Sequence, residues 1–269
     1  MKDLKRVASL RKTLPKALIF DIDGTLLDVK SSFYATAIEA SKIWWEVCER
    51  TSPPFDGNLI LIEKLKTFPG FNDDWDVSIA IILLQKYLQG KGADPIETLI
   101  KLKPQGLSDL EKKTGITLEN KSFIRKICME IYGGRECEKL YGFKPSVWNK
   151  EGYWQRERPL FDISKATKTF KIGIYTGRTW PETRNALFLL NLRLKRRFIV
   201  TAEEYKKPDP RGLFKLVHEL KVNHAVFIGD SEDDRLTVLN YRKIFKLPFI
   251  DFIHVKDITY LKSFGLEKI

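Results

Sequence analysis

The chain has 269 residues, 43% of them hydrophobic, and a formal net charge of +12, enough for one large domain or a core with a smaller companion. Its longest clean apolar run, Ile79 to Leu84, is far too short to span a bilayer, and the basic N-terminus (Lys2, Lys5, Arg6, Arg11, Lys12) lacks the apolar segment of a secretory signal, so a cytoplasmic protein is expected. Cys48, Cys128 and Cys137, with His218, His224 and His254, suit neither a disulfide framework nor a zinc site.

Positive charge gathers at Arg193, Lys195, Arg196 and Arg197. Such a cluster can attract anionic substrates or bind nucleic acid loosely, but a solvated basic surface accounts for it more simply, and no aromatic–basic motif for strand recognition accompanies it.

In chain order, Ala17–Phe20 reads as a buried strand, and Asp21-Ile22-Asp23-Gly24-Thr25 follows it directly. If strand geometry runs through both acids, Asp21 and Asp23 point the same way. A carboxylate can attack phosphorus, and a second acid can manage the leaving-group proton; an Asp-Gly turn closing a strand is the plainer alternative. The next stretch is patterned for helices. Phe33 to Arg50 carries a broad apolar stripe at helical spacing, Asp76 to Gln89 ends at Gly90-Lys91-Gly92, and Ser122 to Tyr132 ends at Gly133-Gly134. Pro53-Pro54, Pro69-Gly70 and Pro104-Gln105-Gly106 punctuate it. Just before the second helix lies Gly70-Phe71-Asn72-Asp73-Asp74-Trp75-Asp76. An N-cap with acids at the positive helix end explains this run physically.

Strands then alternate with helices. Ile172–Tyr175 runs into Thr176-Gly177-Arg178, and a helix is predicted over Pro181–Asn191. Phe198–Val200 is a short strand, followed by Lys206-Lys207-Pro208-Asp209-Pro210 and a helix over Arg211–Leu220. Ala225–Ile228 ends in Gly229-Asp230-Ser231-Glu232-Asp233-Asp234, with a helix over Glu232–Arg242 and a last strand near Pro248–Ile253. This alternation predicts an α/β fold with a doubly wound parallel sheet, interrupted by a mostly helical block. Ligands of such sheets bind beyond the carboxyl ends of the strands, where Asp21, Thr176 and Asp230 would meet.

The four motifs, in this order and each after a strand or before a helix, resemble the signature of the haloacid dehalogenase-like superfamily, a capped subfamily I type of phosphatase. Asp at the second position, Asp23, is similar to the phosphatases and mutases rather than the dehalogenases. Gly70-Phe71-Asn72-Asp73-Asp74-Trp75-Asp76, together with Glu157-Arg158-Pro159-Leu160, resembles a little-characterised subfamily of capped phosphatase-like hydrolases. The resemblance covers nearly the whole chain beyond the basic first residues. Around Tyr241–Ile253 it departs from the usual alanine-rich pattern, which leaves the last strand open.

The resemblance implies a Rossmann-like catalytic core over 1–29 and 157–269 and an inserted α-helical cap domain of C1 type over 30–156. It implies Asp21 as nucleophile and Asp23 as acid and base. Gly24 permits the turn, and Thr25 steadies the loop through its hydroxyl. Thr176 and the amide of Gly177 would hold the phosphoryl group, and Arg178 would contact either substrate or a surface acid. Lys207, rather than Lys206, would offset phosphate charge and orient Asp21. Mg²⁺ would be bound by Asp21, the main chain of Asp23, Asp230 and Asp234, with Asp233 the competitor for the last place and Ser231 donating to one of these acids. Asn72, Asp73 and Trp75 become candidates for substrate recognition. The implied activity is Mg²⁺-dependent hydrolysis of a small phosphorylated metabolite through an aspartyl-phosphate. A sugar-phosphate mutase is the first alternative, ahead of a nucleic-acid end phosphatase or a non-catalytic binding module. Oligomeric state is not legible.

Overall fold

The computed structural model describes residues 15–71 and 73–269; the basic positions Lys2, Lys5, Arg6, Arg11 and Lys12 and the candidate Asn72 lie outside the described residues. The chain forms two compact units, one made of Met1–Leu27 and Pro159–Ile269, the other of Asp28–Arg158.

The first unit is built on a five-stranded sheet: β1 (Ala17–Phe20), β2 (Lys171–Tyr175), β3 (Ile199–Val200), β4 (His224–Gly229) and β5 (Phe249–His254). The strands are parallel and ordered β3-β2-β1-β4-β5. Ala-Leu-Ile-Phe is buried throughout because β1 is the central strand, with Phe20 level with Ile174 on one side and Ile228 on the other. An uninterrupted apolar run is what a strand covered on both faces requires. The helical region is inserted after β1.

In that helical unit, α1 (Ala35–Trp44) packs on both α2 (Asp74–Leu88) and α3 (Lys121–Gly133). Val77 through Gln85 of α2 are all buried, so this helix is apolar on every side and sits at the centre of the unit. The buried indole of Trp45 donates to Gln85 Oε1 at 2.8 Å, and Gln85 Nε2 donates to the Phe55 carbonyl at 2.9 Å. The predicted helix from Phe33 to Arg50 is broken up: π-helical turns at Lys30–Tyr34 and Trp45–Glu49 flank α1. Short helices at Leu59–Leu65, Pro95–Leu102, Leu107–Thr114 and Cys137–Tyr141 fill the stretches where the sequence shows mainly Pro and Gly breaks. Among the described residues, no helix is long and apolar enough to cross a membrane.

The sheet unit carries α4 (Trp180–Leu189), α5 (Arg211–Leu220) and α6 (Glu232–Ile244). Leu213, Leu216 and Val217 of α5, with Val238 and Tyr241 of α6, share one core with Ile19, Phe227 and Ile250 of the sheet. The departure from an alanine-rich C-terminal pattern has a packing reason. Tyr241 is buried with its ring 5.2 Å from Phe245, so aromatic bulk fills that side of the core. The last strand forms regardless, pairing in register with β4 from Phe249 to His254.

At the sheet edge, Arg242 Nε donates to the Ile250 carbonyl at 2.8 Å and its Nη2 to Asp251 Oδ1 at 2.5 Å. The basic cluster is partly neutralised, with Arg196 2.6 Å from Glu204 and Arg197 3.9 Å from Glu219.

One contact sets where α5 begins. The Tyr175 hydroxyl donates to the Asp209 carbonyl at 2.8 Å, and its ring lies where a side chain on Gly212 would go; an added Cβ would come within 2.4 Å of the ring. Replacing Gly212 by Ala therefore overpacks the junction between β2 and α5. The expected cost is about 1–3 kcal/mol, read as a lower midpoint in thermal or urea unfolding; an unchanged midpoint would contradict this packing.

Candidate active site

Three of the central strands end at one edge of the sheet, and each hands the chain to a loop carrying an acid, a hydroxyl or a cation. After β1, Asp21 N–H donates to the Ile228 carbonyl at 3.0 Å, holding Asp21 in line with β4 for one residue more. The chain then turns back: the amides of Thr25, Leu26 and Leu27 all donate to the Ile22 carbonyl, at 3.2, 2.8 and 2.9 Å. Gly24 sits in this turn at φ +68°, and a Cβ there would fall 2.2 Å from Asp230 Oδ2. Glycine thus serves both the left-handed backbone and the close approach of a carboxylate. Thr25 is buried with its hydroxyl unbonded, so the expected loop-steadying bond from that hydroxyl does not form. The Ile22 carbonyl does that work instead.

After β2, Thr176 is fully buried and its amide donates to the Val200 carbonyl at 3.0 Å. Its Oγ1 accepts the Arg178 amide at 3.2 Å, while Gly177 has open space beside it. Arg178 is turned away from bulk water and pairs with Asp23. Its side chain is 1% exposed, and Nε and Nη2 both donate to Asp23 Oδ1, at 2.8 and 2.5 Å.

Lys207 enters from the loop before α5. Its ammonium, on a side chain 5% exposed, lies 2.8 Å from Asp21 Oδ1 and 2.7 Å from Asp234 Oδ1; its neighbour Lys206 is exposed. After β4 come Asp230 and the start of α6, where Ser231 and Asp234 form a capping box. Ser231 donates to Asp234 Oδ2 through both N and Oγ, at 3.1 and 2.7 Å, and the Asp234 amide returns a bond to Ser231 Oγ at 3.2 Å. Capping of α6 thus falls to Ser231 and Asp234. A Cβ on Gly229 would collide with the Asp234 carboxyl carbon at 2.5 Å, so glycine is also what lets Asp234 fold inward.

Asp21, Asp230 and Asp234 can each place one carboxylate oxygen within 4.8 Å of the others. Burial pushes the Asp21 carboxyl well above the usual carboxylate range; Lys207 opposes the shift, and the charges of Asp234, Asp23 and Asp230 add to it. Burial alone would lower Lys207, but Asp21 and then Asp234 outweigh it and raise its affinity for the proton.

Two other candidates belong to the helical unit. Asp73 is the N-cap of α2, accepting from the amides of Trp75 and Asp76 at 2.9 and 3.4 Å, and lies 3.3 Å from Arg125. Trp75 is buried, its ring 5.4 Å from Phe33 and 6.0 Å from Tyr132. These contacts account for both residues within the framework of that unit. The bond between Arg178 and Asp23 has no signal in the sequence, because the residues stand 155 positions apart.

A family model described as haloacid dehalogenase-like hydrolase matches residues 163–240. The structure of phosphatase Tt82 from Thermococcus thioreducens is similar to this one with a TM-score of 0.69 and 29% sequence identity, over 89% of this chain and 92% of that one. By these likenesses the chain is similar to the haloacid dehalogenase-like hydrolases. At the level of fold alone, the hydrolase is also similar to a protein from Lactobacillus plantarum provisionally called a phosphoglycolate phosphatase, with a TM-score of 0.50 and 14% identity over 90% of this chain and 87% of that one. No curated protein matches the chain.

The hydrolase should respond oppositely to losing either partner of its buried ion pair. Lys207→Met leaves two buried acids without their shared cation, and a loss of about 3–5 kcal/mol is expected. Asp21→Asn removes a carboxyl that binds its proton more tightly folded than unfolded. The stability tied to that proton is fully present below the ordinary carboxylate range and fades as pH rises through the raised folded value. Metal-free Asp21→Asn should therefore be at least as stable as the parent at neutral pH. Denaturant melts of both variants with chelator check this, and an Asp21→Asn protein less stable than the parent would refute the electrostatic account.

Proposed function

We propose that the hydrolase is a Mg²⁺-dependent phosphatase that cleaves a small phosphomonoester by transferring its phosphoryl group to Asp21. The observation that carries this reading is the Asp21 carboxylate, 5% exposed, 2.8 Å from Lys207 and beside the acids Asp230 and Asp234.

The fit to a cation rests on charge and donor type. Asp21, Asp230 and Asp234 bring three negative charges when ionised, against one positive charge on Lys207. A divalent cation balances that difference, and an all-oxygen donor set suits Mg²⁺. Asp21, Asp230 and Asp234 would hold it with the main-chain oxygen of Asp23, Asp234 sharing its oxygens with Lys207 and Ser231. When bound, the ion supplies charge neutralisation for the phosphoryl oxygens.

The protein's own groups divide the rest. An Asp21 oxygen attacks phosphorus while the bond to the leaving oxygen breaks, and that oxygen takes the proton of Asp23. Ionised Asp23 then takes a proton from water as the water oxygen attacks phosphorus; the bond from Asp21 to phosphorus breaks, and inorganic phosphate departs. Thr176 Oγ1 already accepts the Arg178 amide, so its own proton is free for a phosphoryl oxygen, with the Gly177 amide beside it. Lys207 holds Asp21 and offsets the phosphate charge.

Phosphate release from a panel of small phosphomonoesters with Mg²⁺ tests this. The parent should turn over at least one of them, and Asp21→Asn should be slower by about a thousandfold or more. Chelation should silence the enzyme and added Mg²⁺ should restore it. Undiminished release by Asp21→Asn, or in chelator, would sink the proposal. Conversion of one sugar phosphate into its isomer without net phosphate would assign a mutase instead, and a strong preference for oligonucleotide ends an end phosphatase.

A further inference from the structure

We propose that Arg178 is a positioning residue that acts through Asp23: it grips one carboxylate oxygen and leaves the other as the oxygen that gives and takes the proton. The inference rests on the acid–base role proposed for Asp23. It adds which oxygen of Asp23 works and what aims it.

The geometry is specific. Arg178 Nε and Nη2 both bond Oδ1; among the described residues, both bonds that the Asp23 carboxylate accepts fall on that one oxygen. Oδ2 keeps its lone pairs for a proton. The two side chains are also unequally placed, Arg178 1% exposed and Asp23 22%. A buried planar guanidinium therefore holds a more open carboxylate, and the carboxylate is the one of the pair that solvent reaches.

Asp23 needs such a grip. It stands beyond the end of β1, in the turn closed by the bond from the Gly24 amide to the Leu27 carbonyl at 2.9 Å, and that turn does nothing to stop its carboxylate rotating. Rotation would exchange the two oxygens and swing the proton away from the leaving group. Proton transfer needs donor and acceptor within hydrogen-bond reach. Two N–H groups fixed in one plane remove the rotation, which a single ammonium on a flexible stem would not.

The main chain of Arg178 is pinned as well. Its carbonyl accepts the Ala202 amide at 3.1 Å, and its own amide holds Thr176 Oγ1 at 3.2 Å. One residue thus orients the acid with its side chain and the phosphoryl-binding hydroxyl with its backbone. Only the first of these depends on the side chain being arginine.

The alternative is an arginine that clamps the substrate phosphate directly, and leaving-group chemistry separates the two. An acid matters most when the leaving oxygen is basic, so p-nitrophenyl phosphate needs it little and an alkyl phosphate needs it greatly. The full-length enzyme with Mg²⁺ is assayed on both esters as the parent, R178M, R178K, D23N and the R178M/D23N double variant. R178M should lose about 10–100-fold in kcat on the alkyl ester and far less in the release of nitrophenol in a single turnover. KM should stay within about twofold on both, R178K should fall between R178M and the parent, and the double variant should be no slower than D23N. Equal losses on the two esters, a large rise in KM, or a double variant slower than D23N by the whole R178M factor would overturn the positioning role. An unimpaired D23N would instead remove the acid–base reading of Asp23 itself, so the two failures are distinguishable. If circular dichroism shows R178M unfolded, R178K and its D23N double variant take its place, and the same selective, non-additive loss is required of them.

Discussion

The ammonium of Lys207, shut away between the carboxylates of Asp21 and Asp234 at 2.8 and 2.7 Å, is the constraint around which the sheet unit is arranged. Each of these groups would be costly to bury alone. Together they join the exit of β1, the loop before α5 and the first turn of α6, three segments that are remote in sequence. Neighbouring structure keeps each partner in reach. Tyr175 fixes the loop through Asp209, Ser231 holds Asp234, and the bare α-carbon of Gly229 makes room for it. Remove the ammonium, and the two acids it separates face one another across a dry gap.

A second cation, Arg178, sets the surroundings of the two acids apart. Asp21 sits in the drier position beside Lys207, while Asp23 is tethered by Arg178 at the more open side. The two carboxylates are two residues apart, yet their environments differ in exposure and in partner. Separate tasks for two like groups arise from such differences in surroundings.

Much of the core was legible because its signals are local. Ala17–Phe20 and the strand ending at Tyr175 are short apolar runs with turn residues behind them, and the acids and hydroxyl stand where those strands stop. Lys207 could be singled out from Lys206 only by its place against Pro208, and the structure turns Lys207 inward and Lys206 outward. The helical unit was less legible. The stripe from Phe33 to Arg50 suggests one helix, but hydrogen-bond register shifts at both ends of α1, which side-chain periodicity does not record. The helix at Pro95–Leu102 did carry a start signal, Asp94 capping the amide of Glu97 at 2.8 Å with Pro95 at the first turn, but it is short and its single turn signal is easily taken for a loop. The unbonded hydroxyl of Thr25 and the acid that Arg178 meets are not legible for a different reason. Whether a hydroxyl finds a partner, and which acid a guanidinium meets, is decided by residues far along the chain.

Arg242 also bears on how this molecule behaves in company. β5 is the outer strand of the sheet, and its Ile250 carbonyl points away from β4, the direction from which a foreign strand would attach. The guanidinium of Arg242 already occupies that carbonyl and is tied down by Asp251. A neighbouring chain attempting to extend the sheet there would first have to evict a paired charge, which is an effective guard against edge-to-edge aggregation. The same arginine that fastens α6 to the sheet thereby helps keep separate copies of the protein apart at high concentration.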